Sequence, residues 1–345
     1  MNPPNIKALT LKALEQWLME NNIKPYRATQ IFKWLYKFNV QHFDNMTDIS
    51  LALRQKLTEN FCIISPTIAK IQTSVDGSKK YAFCLHDGHY VESVLIPERN
   101  HYTLCISSQV GCAQGCRFCL TSRMGLIRNL RHDEIVSQVQ LVTSDIHQNS
   151  ILPLTNIVFM GMGEPLANYD NVKAAIDILI SSKYGLQFST RKITLSTCGI
   201  VPEIIKFSQE IPVLMAISLN ATDNATRDML MPVNRKYPIE KLLDACRNYP
   251  LRSGRMLTIE YVLIKNINDS VTNANRLCQL LRKTRSKINL IPYNKHDHSN
   301  FERPETSTIA EFQKTLIKNN YTVIIRQSKG SDISAACGQL LYEML

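Results

Sequence analysis

The spacing of hydrophobic residues changes twice along the chain, and each spacing predicts a different kind of structure. In about the first 60 residues, apolar positions recur every three or four residues, as they do on the buried face of a helix. The segment "YRATQIFKWLYKF" has this period, and its apolar face consists of Ile31, Trp34, Leu35 and Phe38. We therefore predict a small N-terminal helical domain over residues 1–62, an accessory domain whose basic outer face suits RNA binding.

Between about residues 65 and 100, apolar and polar residues alternate, which is the period of a strand with one buried face. Two turn-forming pairs divide this segment, Asp76-Gly77 and Asp87-Gly88. Such pairs are frequent at the centres of tight hairpin turns. We predict a short β-hairpin connector over residues 63–100.

From residue 101 onward, strand-like runs alternate with helical patterns, which predicts an α/β domain with parallel strands. The runs are "YTLCIS", "NIVFMG", "KITLST", "VLMAISLN", "LTIEYVLI", "INLIPY" and "YTVIIR". Such units form either a barrel or an open doubly wound sheet, and in both folds the functional residues gather at the carboxyl ends of the strands. We assign this domain to residues 101–345.

Composition and charge narrow the class of protein. Hydrophobic residues make up 44% of the chain and charged residues 20%, which is typical of a globular protein. No apolar run approaches the ~20 residues of a membrane span, and the N-terminus lacks a signal-peptide pattern, so we expect a cytoplasmic protein with no membrane partner. The formal charge of +11 favours a polyanionic partner, and nucleic acid is the first candidate.

Three cysteines in "CISSQVGCAQGCRFCLTSRMG" carry the strongest chemical signal. Cys112, Cys116 and Cys119 follow the spacing C-x3-C-x2-C on the loop after the first strand of the α/β domain. Disulfides are rare inside cells, and structural zinc usually takes four ligands from two paired knuckles, whereas no second pair follows here. Closely spaced thiolates suit an iron–sulfur cluster. Three local ligands would leave one iron open to another molecule.

This spacing at the start of an α/β barrel resembles the radical S-adenosylmethionine (radical SAM) superfamily. There SAM binds the open iron, and an electron from the cluster cleaves SAM to a 5′-deoxyadenosyl radical. A second motif, "FMGMGEPL", is similar to the superfamily's element for the SAM amino group, with Gly163 allowing close backbone approach and Glu164 accepting hydrogen bonds. The resemblance implies a partial (β/α)6 radical SAM barrel with a 4Fe–4S cluster and SAM as cofactors.

Motifs along nearly the whole chain resemble, more narrowly, the RlmN/Cfr family of RNA adenine methyltransferases. They include "KPYRATQIFKWLY", "DGSKKYAF", "RKITLSTCGIVP", "LMPVNRKYPIEKLL", "IEYVLIKNINDS" and "DISAACGQL". With Pro165 in "GMGEPL", the chain resembles the RlmN branch of the family, which methylates carbon 2 of adenine. The Cfr branch methylates carbon 8 and usually has Ala at this position. The resemblance implies two substrates: 23S rRNA near the peptidyl-transferase centre, and the adenosine beside the anticodon of some tRNAs.

The family resemblance also implies roles for individual residues. Carbon 2 of adenine has no lone pair with which to attack the methyl group of SAM, so the family uses two SAM molecules. Cys337 would take a methyl group from the first, and a radical made from the second would abstract a hydrogen atom from that methyl group. The methylene radical would add to the base. Cys105 would then resolve the adduct by forming a disulfide with Cys337, and Glu92 would be the general base.

The resemblance implies SAM contacts at Gly163, Glu164, Ser196, Ser218, Leu219, Asn220 and Asn294. Asn220 departs from the family, in which many members have His. An amide keeps a donor and an acceptor but does not titrate, so we expect a SAM contact there and no proton transfer. We also expect an electron donor such as flavodoxin and a monomeric protein. Two alternatives stay open: a Cfr-like carbon-8 methyltransferase, and a zinc-stabilised RNA-binding protein without catalysis.

Overall fold

The predicted strand–helix repeats form a mixed sheet with helices packed against it. The computed structural model describes residues 3–150, 152–296 and 299–340. Across these residues the strands are β1 (Thr67–Thr73), β2 (Lys79–Cys84), β3 (Tyr90–Pro97), β4 (Tyr102–Cys105), β5 (Gln109–Gly111), β6 (Leu126–Asn129), β7 (Leu154–Phe159), β8 (Ile193–Thr197), β9 (Leu214–Ser218), β10 (Leu257–Leu263), β11 (Ser286–Pro292) and β12 (Val323–Ile325). Strands β5 and β6 form a separate antiparallel pair.

The main sheet has the strand order β1-β2-β3-β4-β7-β8-β9-β10-β11-β12. Neighbours from β4 to β12 are parallel, and all seven strand-like runs predicted after residue 101 are strands of this parallel part. The helices are α1 (Leu11–Glu20), α2 (Arg27–Tyr36), α3 (Leu51–Asn60), α4 (His132–Asn149), α5 (Tyr169–Ile180), α6 (Val201–Glu210), α7 (Asn224–Leu230), α8 (Ile239–Arg247), α9 (Val271–Leu281) and α10 (Thr306–Lys318). The predicted α/β class with parallel strands is confirmed.

The N-terminal helices α1, α2 and α3 confirm the predicted helical period. Ile31 and Leu35 on α2 are fully buried, and Trp34 packs partly against the same core. Phe38 is 48% exposed, so its predicted place on the buried face is wrong. The reason is that α2 ends at Tyr36, and the chain beyond this point no longer follows the helical face.

Both predicted hairpins are present. Gly77 and Gly88 adopt left-handed φ angles of +82° and +81° in the turns that join β1 to β2 and β2 to β3. Strand β3 then pairs with β4, so the segment continues the main sheet. The bounds of the three domains stay predictions. No helix within the described ranges is long and apolar enough to cross a membrane.

Candidate active site

An open cavity lies at the carboxyl ends of the parallel strands and holds about 960 Å³ of empty space. The predicted site residues that line it are Cys112, Cys116, Cys119, Gly163, Glu164, Ser196, Ser218, Asn220, Asn294 and Cys337. The fold therefore brings together two strand residues, on β8 and β9, with residues from the loops that follow β5, β7, β9 and β11 and from the last described segment of the chain. Leu219, Cys105 and Glu92 are not part of its lining.

The predicted cluster ligands lie on the loop between β5 and β6. Gly111 has a left-handed φ of +75°, and a Cβ atom there would come within 1.9 Å of the Gly125 carbonyl oxygen. Only glycine fits this turn, which starts the cysteine loop. The Ser122 hydroxyl contacts the carbonyl oxygens of Cys116 and Cys119 at 2.6 and 2.7 Å and fixes the far end of the loop.

The three thiols lie in a common environment. Burial raises the pKa of Cys112 to about 12 and also raises the pKa values of Cys116 and Cys119. The nearby charges of Cys119 and Cys112 raise the pKa of Cys116 further. Thiols of this kind become thiolates readily only when a metal compensates their charge.

The donor set fits an iron–sulfur cluster. Three cysteines from one loop line the same cavity, and closely spaced thiolates are the usual ligands of such a cluster. Structural zinc usually takes four protein ligands. In the part of the chain that the structure describes, no group of three or more His, Cys, Asp or Glu side chains is placed to hold a single metal ion.

The turn after β7 presents a fixed carboxylate. Gly163 has a φ of +97°, and a Cβ atom there would lie 2.5 Å from the Cβ of Gln109. The two carboxylate oxygens of Glu164 accept hydrogen bonds from the backbone N–H groups of Leu166 at 3.0 Å and Cys198 at 2.8 Å. Burial raises the pKa of Glu164, and the hydrogen bonds from Cys198 oppose this rise. These hydrogen bonds fix the orientation of a carboxylate, which is the kind of group that pairs with an ammonium group.

The two predicted serines converge on Glu260, a residue that the sequence analysis missed. Glu260 lies on β10, is 6% exposed and lines the cavity. Its Oε2 accepts hydrogen bonds from Ser196 Oγ at 2.5 Å and Ser218 Oγ at 3.4 Å. Burial raises the pKa of Glu260, whereas the Ser196 hydrogen bond and the charge of Arg326 lower it. The sequence does contain a signal for Glu260, because it is a carboxylate within the apolar run "LTIEYVLI". Burying an ionisable group is costly, so such a residue often belongs to a functional site.

The predicted SAM contacts at the asparagines differ in their surroundings. Asn220 has a left-handed φ of +58°, which Asn tolerates better than most residues. Its Oδ1 accepts a hydrogen bond from the Val262 N–H at 2.8 Å, and its Nδ2 contacts a methionine sulfur at 3.1 Å. Asn294 Nδ2 donates to the Cys337 carbonyl oxygen at 3.1 Å, so this residue holds the Cys337 backbone. The Leu219 side chain is fully buried.

The two cysteines expected to form a disulfide differ in their exposure. Cys337 is exposed and lines the cavity, whereas Cys105 is buried at the end of β4. Burial raises the pKa of Cys105, and the charge of Cys337 raises it further. Glu92, on β3, is buried and forms a 3.1 Å ion pair with Lys80 on β2.

Comparison with known proteins agrees with this geometry. Residues 4–63 match the ribosomal RNA large subunit methyltransferase N-terminal domain, and residues 106–274 match the radical SAM superfamily. A crystal structure of a radical SAM methyltransferase from Sphaerobacter thermophilus has a TM-score of 0.89 and 41% identity, covering 98% of this chain and 99% of that chain. The fold and the three-cysteine cavity are those of a radical SAM methyltransferase, whose cofactors are a 4Fe–4S cluster and SAM.

Full-length relatives identify the family. The dual-specificity RNA methyltransferase RlmN of Desulfosudis oleivorans is 52% identical over 342 residues, which cover 99% of this chain and 92% of the relative. The protein of the same name from Geobacter sulfurreducens is 51% identical over 336 residues, covering 97% and 91%. The chain belongs to the RlmN family of dual-specificity RNA methyltransferases. The predicted family, the radical SAM barrel and both predicted cofactors are confirmed.

Proposed function

We propose that the protein methylates carbon 2 of adenine in 23S rRNA and in tRNA, and that Cys337 carries the methyl group. The observation that supports this proposal is the position of Cys337 in the wall of the cavity that also contains the three cluster cysteines. Binding and cleaving SAM requires neither of the two further thiols in this wall, Cys198 and Cys337. Cys198 is buried, whereas Cys337 is exposed. An exposed thiol that lines the same cavity is placed to act as a covalent nucleophile.

The chain's own residues hold the reacting groups. Cys112, Cys116 and Cys119 would hold the cluster, and Glu164 would bind the amino group of SAM. When bound, the cluster and SAM supply the one-electron chemistry that removes a hydrogen atom from an unreactive methyl group. Cys337 must lose its proton before its sulfur attacks a methyl group. Burial raises the pKa of Cys337 and opposes this loss, but the nearby charge of Arg326 lowers it.

Glu92 and Cys105 are assigned to the later steps. Glu92 is buried and forms a 3.1 Å ion pair with Lys80, and we assign its carboxylate the role of accepting the adenine proton. The Ser107 hydroxyl donates to the Glu92 carbonyl oxygen at 2.6 Å, which joins this part of β3 to the chain just after Cys105. This contact supports a role for Cys105 in the same reaction, as the thiol that resolves the adduct.

RNA is the expected macromolecular partner. The net charge of +11 suits phosphate contacts, which supply much of the affinity of proteins for nucleic acids. A base in a folded RNA must leave its stack to enter the cavity, so base flipping or loop remodelling is part of the proposal. The proposal also includes an electron donor such as flavodoxin, a monomeric enzyme and a cytoplasmic location.

Anaerobic reconstitution tests this function. The protein is supplied with iron, sulfide, SAM, a chemical reductant and either an rRNA fragment or tRNA, and the product nucleosides are analysed by mass spectrometry. We expect 2-methyladenosine. Recovery of 8-methyladenosine would instead support the Cfr-like alternative. One bound zinc with no iron or sulfide, and no methylated nucleoside, would overturn the radical mechanism.

A further inference from the structure

The segment that carries Cys337, residues 328–340, depends on contacts with other parts of the chain for its position. Its described structure contains only a three-residue turn, Ser331–Ile333, within otherwise irregular backbone. Gly330 and Ser334 flank this turn with left-handed φ angles of +65° and +52°. On the barrel side, Asn294 donates to the Cys337 carbonyl oxygen, the Leu120 N–H donates to the Gly338 carbonyl oxygen at 2.7 Å, and the Thr121 hydroxyl donates to the Leu340 carbonyl oxygen at 2.6 Å. Gln339 also donates to the Lys295 carbonyl oxygen. The N-terminal part of the segment is bound instead by the tip of the β1–β2 hairpin, residues 74–78, which lines no part of the cavity.

The hairpin tip and the segment that contains Cys337 are joined by hydrogen bonds to two carboxylates, one on each side. Asp332 accepts hydrogen bonds from Ser74 Oγ at 2.5 Å and from the Val75 N–H at 3.1 Å. In return, Asp76 accepts a hydrogen bond from the Gly330 N–H at 2.9 Å. Each segment therefore supplies one carboxylate that binds the backbone of the other. Hydrogen bonds to an ionised acceptor are about twice as strong as neutral ones.

The same hairpin also reaches the proposed base. Lys80, two residues beyond the tip, donates to the Ser334 carbonyl oxygen at 3.4 Å and forms the 3.1 Å ion pair with Glu92. One hairpin thus contacts the segment of Cys337 and the residue proposed to accept the adenine proton. A displacement of the hairpin relative to this segment would change the distance between the two reacting groups.

We propose that Asp76 and Asp332 are positioning residues that hold Cys337 over the cavity in the geometry needed for transfer to RNA. This inference rests on the proposed methyl-carrier role of Cys337. We call the two carboxylates and their partners Ser74, Val75 and Gly330 the carboxylate latch. Loosening the latch would let Cys337 move relative to the cofactor and the base. Displacements of about 1 Å at a reacting group can cost on the order of 100-fold in rate.

The latch is charged at ordinary pH. Burial alone would raise the pKa of Asp76, but hydrogen bonds from the backbone of Gly330 and Ser78 outweigh it and lower the pKa to about 2. The hydrogen bonds from Ser74 and Val75 also lower the pKa of Asp332. The stabilisation by Asp76 is present above its unfolded pKa of about 4 and is lost as the pH falls toward 2. The stabilisation by Asp332 is likewise present above about 4 and is lost at lower pH. The latch is therefore a constant feature and not a pH switch.

The experiment compares Asp332→Asn and Ser74→Ala with the matched control Val75→Ala in cluster-loaded protein. Val75 is at the same tip, its side chain is 96% exposed, and alanine keeps the backbone N–H that Asp332 binds. The first measurement is the amount of 5′-deoxyadenosine released for each methyl group found in RNA. We expect this ratio to rise about tenfold in Asp332→Asn, less in Ser74→Ala, and not at all in Val75→Ala.

The second measurement requires no RNA. Alkylation of Cys337 by iodoacetamide, followed by peptide mass spectrometry, should be several times faster in Asp332→Asn than in Val75→Ala. Equal labelling rates and an unchanged cleavage ratio in the two variants would overturn the latch. The latch would also be overturned if methylation by the variants falls only in proportion to the fraction of protein that carries the cluster. If labelling changes as expected but the unsubstituted protein methylates no RNA, the latch stands and the proposed function fails.

Discussion

Two buried charged groups in this protein differ in how completely their surroundings satisfy them. Lys7, where the N-terminal domain meets α4, is 1% exposed and donates to Ser65 Oγ, Ser137 Oγ and Gln140 Oε1 at 3.0, 3.3 and 3.0 Å. An ammonium group has three donors, and all three are used. Glu260 is similarly buried, but its hydrogen bonds come from two serines on one oxygen, and it faces the cavity.

The difference separates a structural polar group from a functional one. A buried charge whose hydrogen bonds are complete has no capacity left for a ligand, so its substitution should change the free energy of unfolding. A buried charge beside a cavity with free acceptor positions retains that capacity, so its substitution should change binding or chemistry. The predictions below test this separation.

The largest effect is expected at the cavity for Cys337→Ala. RNA methylation should fall below detection, because the proposed carrier of the methyl group is gone. Iron content and SAM cleavage should be unchanged, and the free energy of unfolding should change by less than about 1 kcal/mol, since the side chain is exposed to the cavity. Nucleoside mass spectrometry, iron analysis and chemical denaturation measure the three quantities. Substantial residual methylation would contradict the carrier role.

Glu260→Gln should weaken SAM binding by about 10- to 100-fold. The substitution keeps the size of the side chain but removes the charge, and a hydrogen bond to a charged group contributes about 1.5–3 kcal/mol. Equilibrium dialysis with cluster-loaded protein measures the dissociation constant. Glu59→Gln, at an exposed position on α3, is the matched control. An unchanged SAM affinity, together with a large loss of stability, would make Glu260 a structural residue like Lys7.

Lys7→Met should lower the stability of the protein and leave its activity unchanged. Three buried acceptors lose their donor, which we expect to lower the free energy of unfolding by about 1–3 kcal/mol. RNA methylation per folded, cluster-loaded molecule should stay the same. Lys12→Met, at an exposed position on α1, controls for the loss of a positive charge. A drop in methylation at unchanged stability would remove the distinction between the two sites.

The smallest effect concerns pH. Burial lowers the pKa of Lys7 from 10.5 to about 8, and the charge of Asp133 partly opposes this shift. Between these values the unfolded chain binds the proton more often than the folded protein, so stability should rise with pH. From pH 8 to pH 9 the unsubstituted protein should gain about 1 kcal/mol relative to Lys7→Met. Parallel pH profiles for the two proteins would contradict the lowered pKa.

Part of the site was predictable because its residues are close in sequence. The cysteine spacing and the "GMGEPL" turn each occupy one loop, and the glycines at 111 and 163 are required by contacts within these turns and with β5. The period of the apolar residues predicted every strand of the parallel sheet. It failed at Phe38, because periodicity does not show where a helix ends.

Glu260 was not predictable, because its importance depends on neighbours from other strands. In the sequence it is one polar residue within an apolar run. In the structure it meets Ser196 and Ser218, which are 64 and 42 positions away. The contact between Asp76 and Gly330 spans 254 positions and follows only from how the hairpin packs against the last described segment.

The sequence by itself determined the elements, the spacing of the three cysteines and the family, because each depends on spacing within a few residues or on motifs that can be compared directly. Only the tertiary structure decided which buried polar groups are satisfied, and which segment of the chain contacts the one that contains Cys337. The physical reason is that hydrogen bonds and electrostatic interactions depend on distances in space. Those distances are set by strand order and packing, which no local pattern contains.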